Sequence, residues 1–319
     1  MTEAPSLYGP VAEDIPAVGD VLAGLSEGHH PLLGATLAHI FETGGKRIRP
    51  ALVLLSGKLG TYQRDRLVML AASLEVVHTA TLVHDDTIDQ ALTRRGLQTI
   101  NALWDGKVAI LVGDFLLAQS AELASRLDSV RIMSLLSQTV MDMSSGELRQ
   151  YAASQSHTLD EADYFARIGG KTASLFAMCC EGAGVLSGQS EECIGALRSY
   201  GTNFGLAFQV VDDVLDFVGD EQSLGKPAGN DLRQGTLTLP VIMVAQALSG
   251  DSALRQDIER GRNTDGILAA VRESGAVDRA LDRAREYARA ACSDLSIFPA
   301  SQAKEVLLEL TQQVIDRRR

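Results

Sequence analysis

The chain has 319 residues, 45% hydrophobic and 22% charged, a composition typical of a folded globular protein with a large core. Its 41 acidic against 29 basic residues give a formal net charge of −12, which argues against a nucleic-acid-binding surface. The N-terminus lacks the basic start and apolar run of a signal peptide, and no apolar stretch is long enough to span a bilayer, so we expect a cytoplasmic protein without a transmembrane segment. The four cysteines, Cys179, Cys180, Cys193 and Cys292, lack the spacing of a zinc site or a disulfide framework, and we expect reduced thiols.

The predicted elements are helical along the whole chain. Residues 64–88 carry apolar side chains at spacings of three and four without an internal proline or glycine, which predicts one long helix. The same pattern predicts helices over residues 107–127, 132–151, 171–188 and 199–220. Pro50 and Pro240 stand where helices would begin, and residues 219–235 read as a long loop. We therefore predict a single all-α domain over residues 1–319, built as a helical bundle, with residues 1–25 as a loosely ordered lead-in.

Two aspartate-rich motifs carry the chemistry, "HDDTID" at residues 84–89 and "VVDDVLD" at residues 210–216. Positions four apart share a helix face, so Asp85 lies over Asp89, and Asp212 over Asp216. Mg²⁺ binds through one or two carboxylates and completes its shell with waters and phosphate oxygens, which makes a phosphorylated substrate the natural partner. A solvated acidic face is disfavoured by the apolar residues before each motif, and the pattern is not that of a calcium loop. The candidate metal ligands are Asp85, Asp86, Asp89, Asp212, Asp213 and Asp216.

Basic residues complete a phosphate-binding pattern. "GGKRIRP" at residues 44–50 places Lys46, Arg47 and Arg49 on a turn before a helix, where backbone N–H groups also favour anions. Further cations are Arg94, Arg95, Lys171 and Lys226, and together they suggest two diphosphate sites, one bridged by metal and one bound directly. His78 lies two turns before Asp85 on the same face, and Gln209 shares a face with Asp212, where it could hydrogen-bond a ligand or a carboxylate.

These motifs, with "GGKTASL" and "LGKPAGNDLRQGTLTLP", resemble in order and approximate spacing those of the trans-polyprenyl diphosphate synthases, most of all the medium- and long-chain members such as heptaprenyl and octaprenyl diphosphate synthases. The resemblance covers roughly residues 40–245. It implies an orthogonal helical bundle of the isoprenoid synthase type with a deep central cavity, usually a homodimer. It further implies about three Mg²⁺ ions, for which Mn²⁺ can substitute, between the aspartate motifs and an allylic diphosphate.

The resemblance also implies roles for individual residues. The enzyme would be a prenyltransferase that joins isopentenyl diphosphate head-to-tail to an allylic prenyl diphosphate, with the departing diphosphate accepting the proton. Isopentenyl diphosphate would be bound by Lys46, Arg49, His78 and Arg95. The allylic diphosphate would be addressed by Arg94, Lys171, Thr172, Gln209 and Lys226, and residues 219–235 would act as a lid that excludes water. The residues assigned to catalysis are Asp85, Asp86, Asp212, Asp213, Lys171 and Lys226.

Product length is expected to depend on the helix turns before the first aspartate motif. Val77, Ala80 and Thr81 would form the floor of the cavity that holds the growing chain. No aromatic side chain stands at Ala80 or Thr81 to block the tail of the growing chain. At a helical rise of about 1.5 Å per residue, these positions add depth to the cavity, and we predict a product of about C30 or longer.

Three alternative functions and three departures from the family pattern stay open. The chain could instead be a geranylgeranyl diphosphate synthase, the catalytic subunit of a heteromeric synthase, or a terpene cyclase, although cyclases usually lack a second full aspartate motif. Thr236 stands where many family members have lysine, while Gln90 and Gln98 replace a common acidic residue and a common proline.

Overall fold

The computed structural model of the chain describes residues 8–42, 45–94, 96–218 and 229–317. The all-α class predicted from the sequence is confirmed. The helices are α1 (Ile15–Gly24), α2 (Pro31–Glu42), α3 (Ile48–Gly57), α4 (Arg64–Ile88), α5 (Ile100–Leu103), α6 (Gly106–Ser125), α7 (Val130–Ser156), α8 (Glu161–Ile168), α9 (Ser174–Leu186), α10 (Glu191–Val218), α11 (Asn230–Arg233), α12 (Leu239–Ala247), α13 (Ala253–Glu259), α14 (Thr264–Glu273), α15 (Ala276–Asp294) and α16 (Gln302–Ile315).

Local sequence explains where the helices begin. α4 has the predicted bounds, because residues 64–88 contain neither proline nor glycine. α6 follows Asp105, whose side chain accepts a 2.9 Å hydrogen bond from the backbone N–H of Val108. Asp160 caps α8 in the same way, by accepting from the N–H of Ala162 at 2.9 Å. Pro240 is the second residue of α12. Backbone N–H groups in the first turn of a helix have no intrahelical partner, so proline, which lacks an N–H group, costs no hydrogen bond at this position.

Three local features differ from the predicted helices, and the first is the start of α10 at Glu191, before the predicted residue 199. The helix predicted from residue 171 begins as a π-helical turn over Gly169–Ala173, and α9 follows it. A two-residue antiparallel hairpin joins β1 (Thr93–Arg94) to β2 (Leu97–Gln98), with Gly96 in the left-handed region at φ +82°. Strands this short have no readable alternation of polar and apolar residues, so the sequence pattern could not reveal them.

The Cα positions group into two compact units, of which the first comprises residues 1–140, 178–198 and 297–307. Its interior contains the buried residues of α3 and most of α4. α6 packs closely on α4 at Gly113, where a Cβ atom would lie 2.1 Å from Nε2 of His84. Only glycine permits this approach without displacing the histidine.

The second unit comprises residues 141–177, 199–296 and 308–319. Gly146 of α7 lies against the π-helical turn, since a Cβ atom at Gly146 would lie 2.4 Å from the backbone nitrogen of Lys171. Phe176 packs against Phe204 and Phe208, with ring centroids 5.3 Å apart in each pair. The organisation of residues 1–319 as a single domain stays a prediction.

α1, α4 and α6 concern two further predictions, the lead-in over residues 1–25 and the absence of a transmembrane segment. α1 lies within the predicted lead-in over residues 1–25, and its Val18 and Leu22 are buried. α4 and α6 are long and apolar enough to cross a membrane by length and composition alone, a test that core helices of soluble proteins also pass. All four cysteines are free thiols, with Cys179 and Cys180 buried.

Candidate active site

The first aspartate motif occupies the C-terminal end of α4. Asp85 is half-buried, and Asp89 is exposed as the residue that follows the last turn. Asp86 is only 6% exposed, and both of its oxygens accept hydrogen bonds from Nε of Arg94, at 2.8 and 2.9 Å. Nη2 of Arg94 lies 2.7 Å from the same carboxylate. In this motif, Asp85 and Asp89 are therefore more accessible to solvent than Asp86, whose carboxylate binds Arg94 of the hairpin.

The predicted phosphate-binding turn precedes α3. Arg47 is the residue before the helix, and its backbone is in the left-handed region at φ 49° and ψ 37°. Its Nη1 lies 2.7 Å from Oε1 of the buried Glu75 of α4. Lys46 is exposed, its backbone carbonyl accepts a hydrogen bond from the hydroxyl of Tyr8, and Arg49 is half-buried.

A cleft in the first unit brings several of these groups together. It is open to solvent and lies between α2, α4, the turn before α3 and the hairpin. His78 lines this cleft with Asp86 and Arg94, whereas Asp85, which the helical spacing places on the same face as His78, is not part of the cleft lining. The titratable residues of its wall are His39, Arg47, Glu75, His78, Asp86 and Arg94. Arg47 is paired with Glu75 and Arg94 with Asp86, so each acidic side chain of the cleft wall is neutralised by an arginine.

The second aspartate motif lies near the C-terminal end of α10. Asp212 is 55% exposed at its side chain and lies 3.8 Å from Nη1 of Arg317. Asp216 is half-buried, and its oxygens accept 3.2 Å hydrogen bonds from the backbone N–H groups of Asn230 and Asp231. Asp216 thus holds the start of α11.

Asp213 is buried within a hydrogen-bond network of the second unit. The hydroxyl of Tyr164 donates to its Oδ2 at 2.6 Å, and Nε2 of Gln209 donates to its Oδ1 at 2.7 Å. Thr172 donates in turn to Oε1 of Gln209 at 2.7 Å. Burial raises the pKa of Asp213 to about 8, and the nearby Asp231 carboxylate adds to the rise, while the two hydrogen bonds oppose it.

The π-helical turn positions Lys171 and Thr172. Nζ of Lys171 lies 2.5 Å from Oε2 of Glu147 on α7. Gly146 and Gly170 allow α7 and the turn to approach closely, because a Cβ atom at Gly170 would lie 2.8 Å from the carbonyl oxygen of Asp142. π-helical turns are rare and occur often at functional sites.

The predicted floor residues lie on the middle turns of α4. Val77 and Ala80 are wholly buried. Thr81 is half-buried, and its hydroxyl donates to the carbonyl oxygen of His78 at 2.8 Å.

Some predicted residues cannot be placed. Arg95, Lys226 and residues 219–228 of the predicted lid lie outside the described residues. In the parts of the chain that are described, no three His, Cys, Asp or Glu side chains are arranged to hold a metal ion.

Several residues of these networks have no role predicted from the sequence. Glu75 stands three residues before His78 on one helix face, and that spacing was the available signal for its place in the cleft. Tyr164, Glu147 and His39 gave no signal, because their contacts join distant segments. Nε2 of His39, for example, lies 2.9 Å from the carbonyl oxygen of Gln98, 59 positions along the chain.

The chain matches known proteins along nearly its whole length. The family model described as Polyprenyl synthetase matches residues 30–274. Heptaprenyl diphosphate synthase component 2 of Bacillus subtilis (strain 168) is 34% identical over 313 residues, which cover 98% of this chain and 90% of that protein.

Solved structures share the all-α isoprenoid synthase fold that the resemblance implied. The decaprenyl diphosphate synthase from Rhodobacter capsulatus has a TM-score of 0.91 and 35% identity, with 98% of each chain covered. The polyprenyl synthase from Caulobacter crescentus CB15, solved in complex with calcium and isoprenyl diphosphate, has a TM-score of 0.91 and 35% identity, covering 100% of this chain and 99% of that one. The chain therefore belongs to the polyprenyl synthetase family and is a prenyltransferase.

Proposed function

We propose that this chain is a Mg²⁺-dependent trans-polyprenyl diphosphate synthase, which condenses isopentenyl diphosphate head-to-tail with an allylic diphosphate. The observation that carries the proposal is the common design of the two aspartate motifs. In each, the second aspartate, Asp86 or Asp213, is buried with both oxygens held by protein donors, and the first aspartate is more accessible. Relatives named heptaprenyl and decaprenyl diphosphate synthases support a medium- or long-chain all-trans product.

The aspartate motifs fit a hard divalent cation. Carboxylate oxygens are the ligands that Mg²⁺ prefers, and the more accessible aspartates of the two motifs, such as Asp85 and Asp212, supply them. We propose that both motifs hold Mg²⁺, about three ions as the family resemblance implies. The relative from Caulobacter crescentus CB15, solved with calcium and isoprenyl diphosphate, supports a divalent cation. When bound, Mg²⁺ would neutralise the charge that develops on the departing diphosphate.

The basic residues bind and orient the two diphosphates. Lys46, Arg49, His78 and Arg95 are proposed for isopentenyl diphosphate, and Arg94, Lys171, Thr172, Gln209 and Lys226 for the allylic partner. Arg94 is held by Asp86, and Lys171 by Glu147, so both cations have fixed positions before a substrate arrives. Preorganised charges of this kind stabilise the transition state without reorganisation.

The condensation breaks the allylic carbon–oxygen bond and forms one carbon–carbon bond. The double bond of isopentenyl diphosphate attacks the allylic cation, and the released diphosphate takes the proton that is lost, so the proposal needs no side-chain base. Water would quench the cation, so residues 219–235 are proposed as a lid.

We propose a cytoplasmic homodimer as the working form. α6 supports it, because its adjacent residues Ile110 and Leu111 are 50% and 67% exposed, and Trp104 just before the helix is 51% exposed. Exposed apolar patches on a helix commonly mark protein–protein contacts. A heteromer is the alternative, since the Bacillus subtilis relative is named a component of its synthase.

The proposal is tested with the purified chain alone, Mg²⁺, farnesyl diphosphate and isopentenyl diphosphate. Linear prenyl diphosphates longer than the primer are expected. Cyclic hydrocarbons would indicate a terpene cyclase instead, and no product would indicate a chain that needs a partner subunit. A product that stops at geranylgeranyl diphosphate would refute the medium- or long-chain assignment alone.

A further inference from the structure

The turn before α3 adopts a backbone conformation that its sequence does not favour. Arg47 lies in the left-handed region, at φ 49° and ψ 37°, which side chains with a Cβ atom adopt only at a cost in free energy. Its side chain forms no cap hydrogen bond with α3 that would hold this conformation. Other contacts must therefore stabilise the turn.

Glu75 supplies such a contact. Its Oε1 lies 2.7 Å from Nη1 of Arg47, and the two side chains are only 9% and 20% exposed. A second tether acts on the neighbouring residue, where the hydroxyl of Tyr8 donates to the carbonyl oxygen of Lys46. The side chain of Arg47 and the backbone of Lys46 are thus both fixed.

The ion pair faces the cleft rather than the protein interior. Glu75 and Arg47 line the same cleft wall as His78. A buried carboxylate in a site for an anion would repel that anion unless a cation neutralised it, and Arg47 does so. Eleven residues further along α4, Asp86 holds Arg94 in the same manner, so one helix face anchors both arginine-bearing loops.

We propose that Glu75 is a positioning residue for isopentenyl diphosphate. By holding Arg47, it keeps the turn in the left-handed form that presents Lys46 and Arg49 to the diphosphate. Glu75 itself does not touch the substrate. This inference rests on the proposed function, because the proposed function is what assigns isopentenyl diphosphate to this turn.

The first test is Glu75→Gln, which keeps the shape and removes the charge. We expect the KM for isopentenyl diphosphate to rise about tenfold, as for the loss of one charge-assisted hydrogen bond, while kcat and the KM for the allylic primer change less than about twofold. The matched control is Asp14→Asn, which breaks the 2.6 Å pair of Asp14 with Nε of Arg64 at the other end of α4. The control should leave both Michaelis constants unchanged.

The second test separates positioning by the backbone from direct contact by Arg47. Glycine adopts the left-handed region freely and alanine does not, so Arg47→Gly should bind isopentenyl diphosphate more tightly than Arg47→Ala. Equal losses in the two variants would overturn the positioning role, and so would Glu75→Gln with an unchanged KM.

Calorimetric titration of isopentenyl diphosphate without metal or primer gives a readout that does not depend on turnover. We expect Glu75→Gln to weaken this binding by the same factor as the rise in KM. A wild-type protein that converts the substrates to cyclic hydrocarbons would refute the proposed function, whereas a wild type that makes linear prenyl diphosphates, with unaffected Glu75 and Arg47 variants, would refute this inference alone. Thermal unfolding of each variant verifies that it is folded.

Discussion

Tyr164 is a buried tyrosine, 1% exposed, whose hydroxyl donates to Asp213 at 2.6 Å. Some residues hydrogen-bond a metal ligand and so fix its orientation. Removal of such a residue typically lowers metal affinity or activity by about 10- to 100-fold. We therefore expect Tyr164→Phe to raise the Mg²⁺ concentration needed for half-maximal turnover about tenfold, and to weaken Mn²⁺ binding measured directly by electron paramagnetic resonance. Tyr287→Phe is the control, since this half-buried tyrosine packs on Phe165 with ring centroids 5.3 Å apart. Identical metal dependence in both variants would remove Tyr164 from the site.

Glu181 of α9 gives a pH-dependent prediction. Burial raises the pKa of this carboxyl above its ordinary value, although Arg198 and Arg131 oppose the rise. Because the folded protein holds the proton more tightly than the unfolded chain, the stabilisation is complete below the ordinary pKa of glutamate and is lost as the pH rises through the folded pKa. Glu181→Gln should therefore raise the apparent Tm at pH 8, and the gain should shrink as the pH falls toward 4.5, the ordinary glutamate pKa.

The control for this prediction has the opposite sign. A hydrogen bond from Arg131 lowers the pKa of the exposed Glu191, so Glu191→Gln should not raise the Tm at pH 8. Differential scanning calorimetry across this pH range measures both variants. A gain for Glu181→Gln that is equal at pH 4.5 and pH 8 would show that its carboxyl does not titrate as stated.

At the scale of the element, α4 carries the predicted floor. Ala80 is wholly buried, so Ala80→Phe would overpack its surroundings at a cost of about 1–3 kcal/mol, whereas Thr81→Phe replaces a half-buried side chain. We expect both variants to shorten the product by several isoprene units while primer consumption continues, as measured by chromatography of the products. Ala162→Phe, at an exposed alanine of α8, should leave the product unchanged. Unaltered products from both α4 variants would contradict the floor assignment.

The elements differ in how readily the sequence predicts them. The bounds of α4 were predictable because apolar periodicity continues from Arg64 to Ile88 without a helix breaker. The π-helical turn at Gly169–Ala173 was not, because the close approach of Gly146 from α7 shapes it and local pattern carries no trace of that contact. The same limit applies to Tyr164, whose partner Asp213 lies 49 positions away.

At the scale of the whole molecule, the proposed homodimer depends on the exposed face of α6. Leu111→Glu should shift sedimentation from dimer to monomer, because a charge would replace an apolar side chain that is 67% exposed in the single chain. Ile297→Glu, at a 41% exposed position outside α6, should leave the sedimentation unchanged. A Leu111→Glu variant that sediments as the wild type does would place the interface elsewhere.

The aspartate motifs and most basic residues were predictable as candidate site residues, because each motif is local in sequence. Their partners were not, since the pairing of Glu75 with Arg47 joins segments 28 positions apart. The sequence predicts the same metal-binding role for Asp86 and Asp213 as for the other four aspartates of the two motifs. Only the structure distinguishes these two by burial and by donors to both oxygens.

The most direct measurement of the central claim is the rate of isopentenyl diphosphate incorporation by Asp85→Ala and Asp212→Ala in saturating Mg²⁺. If both motifs serve one metal-dependent prenyl transfer, each variant should lose about 100-fold or more in kcat, as expected when charge stabilisation at the transition state is removed. Retention of near wild-type turnover by either variant would contradict the assignment of that motif.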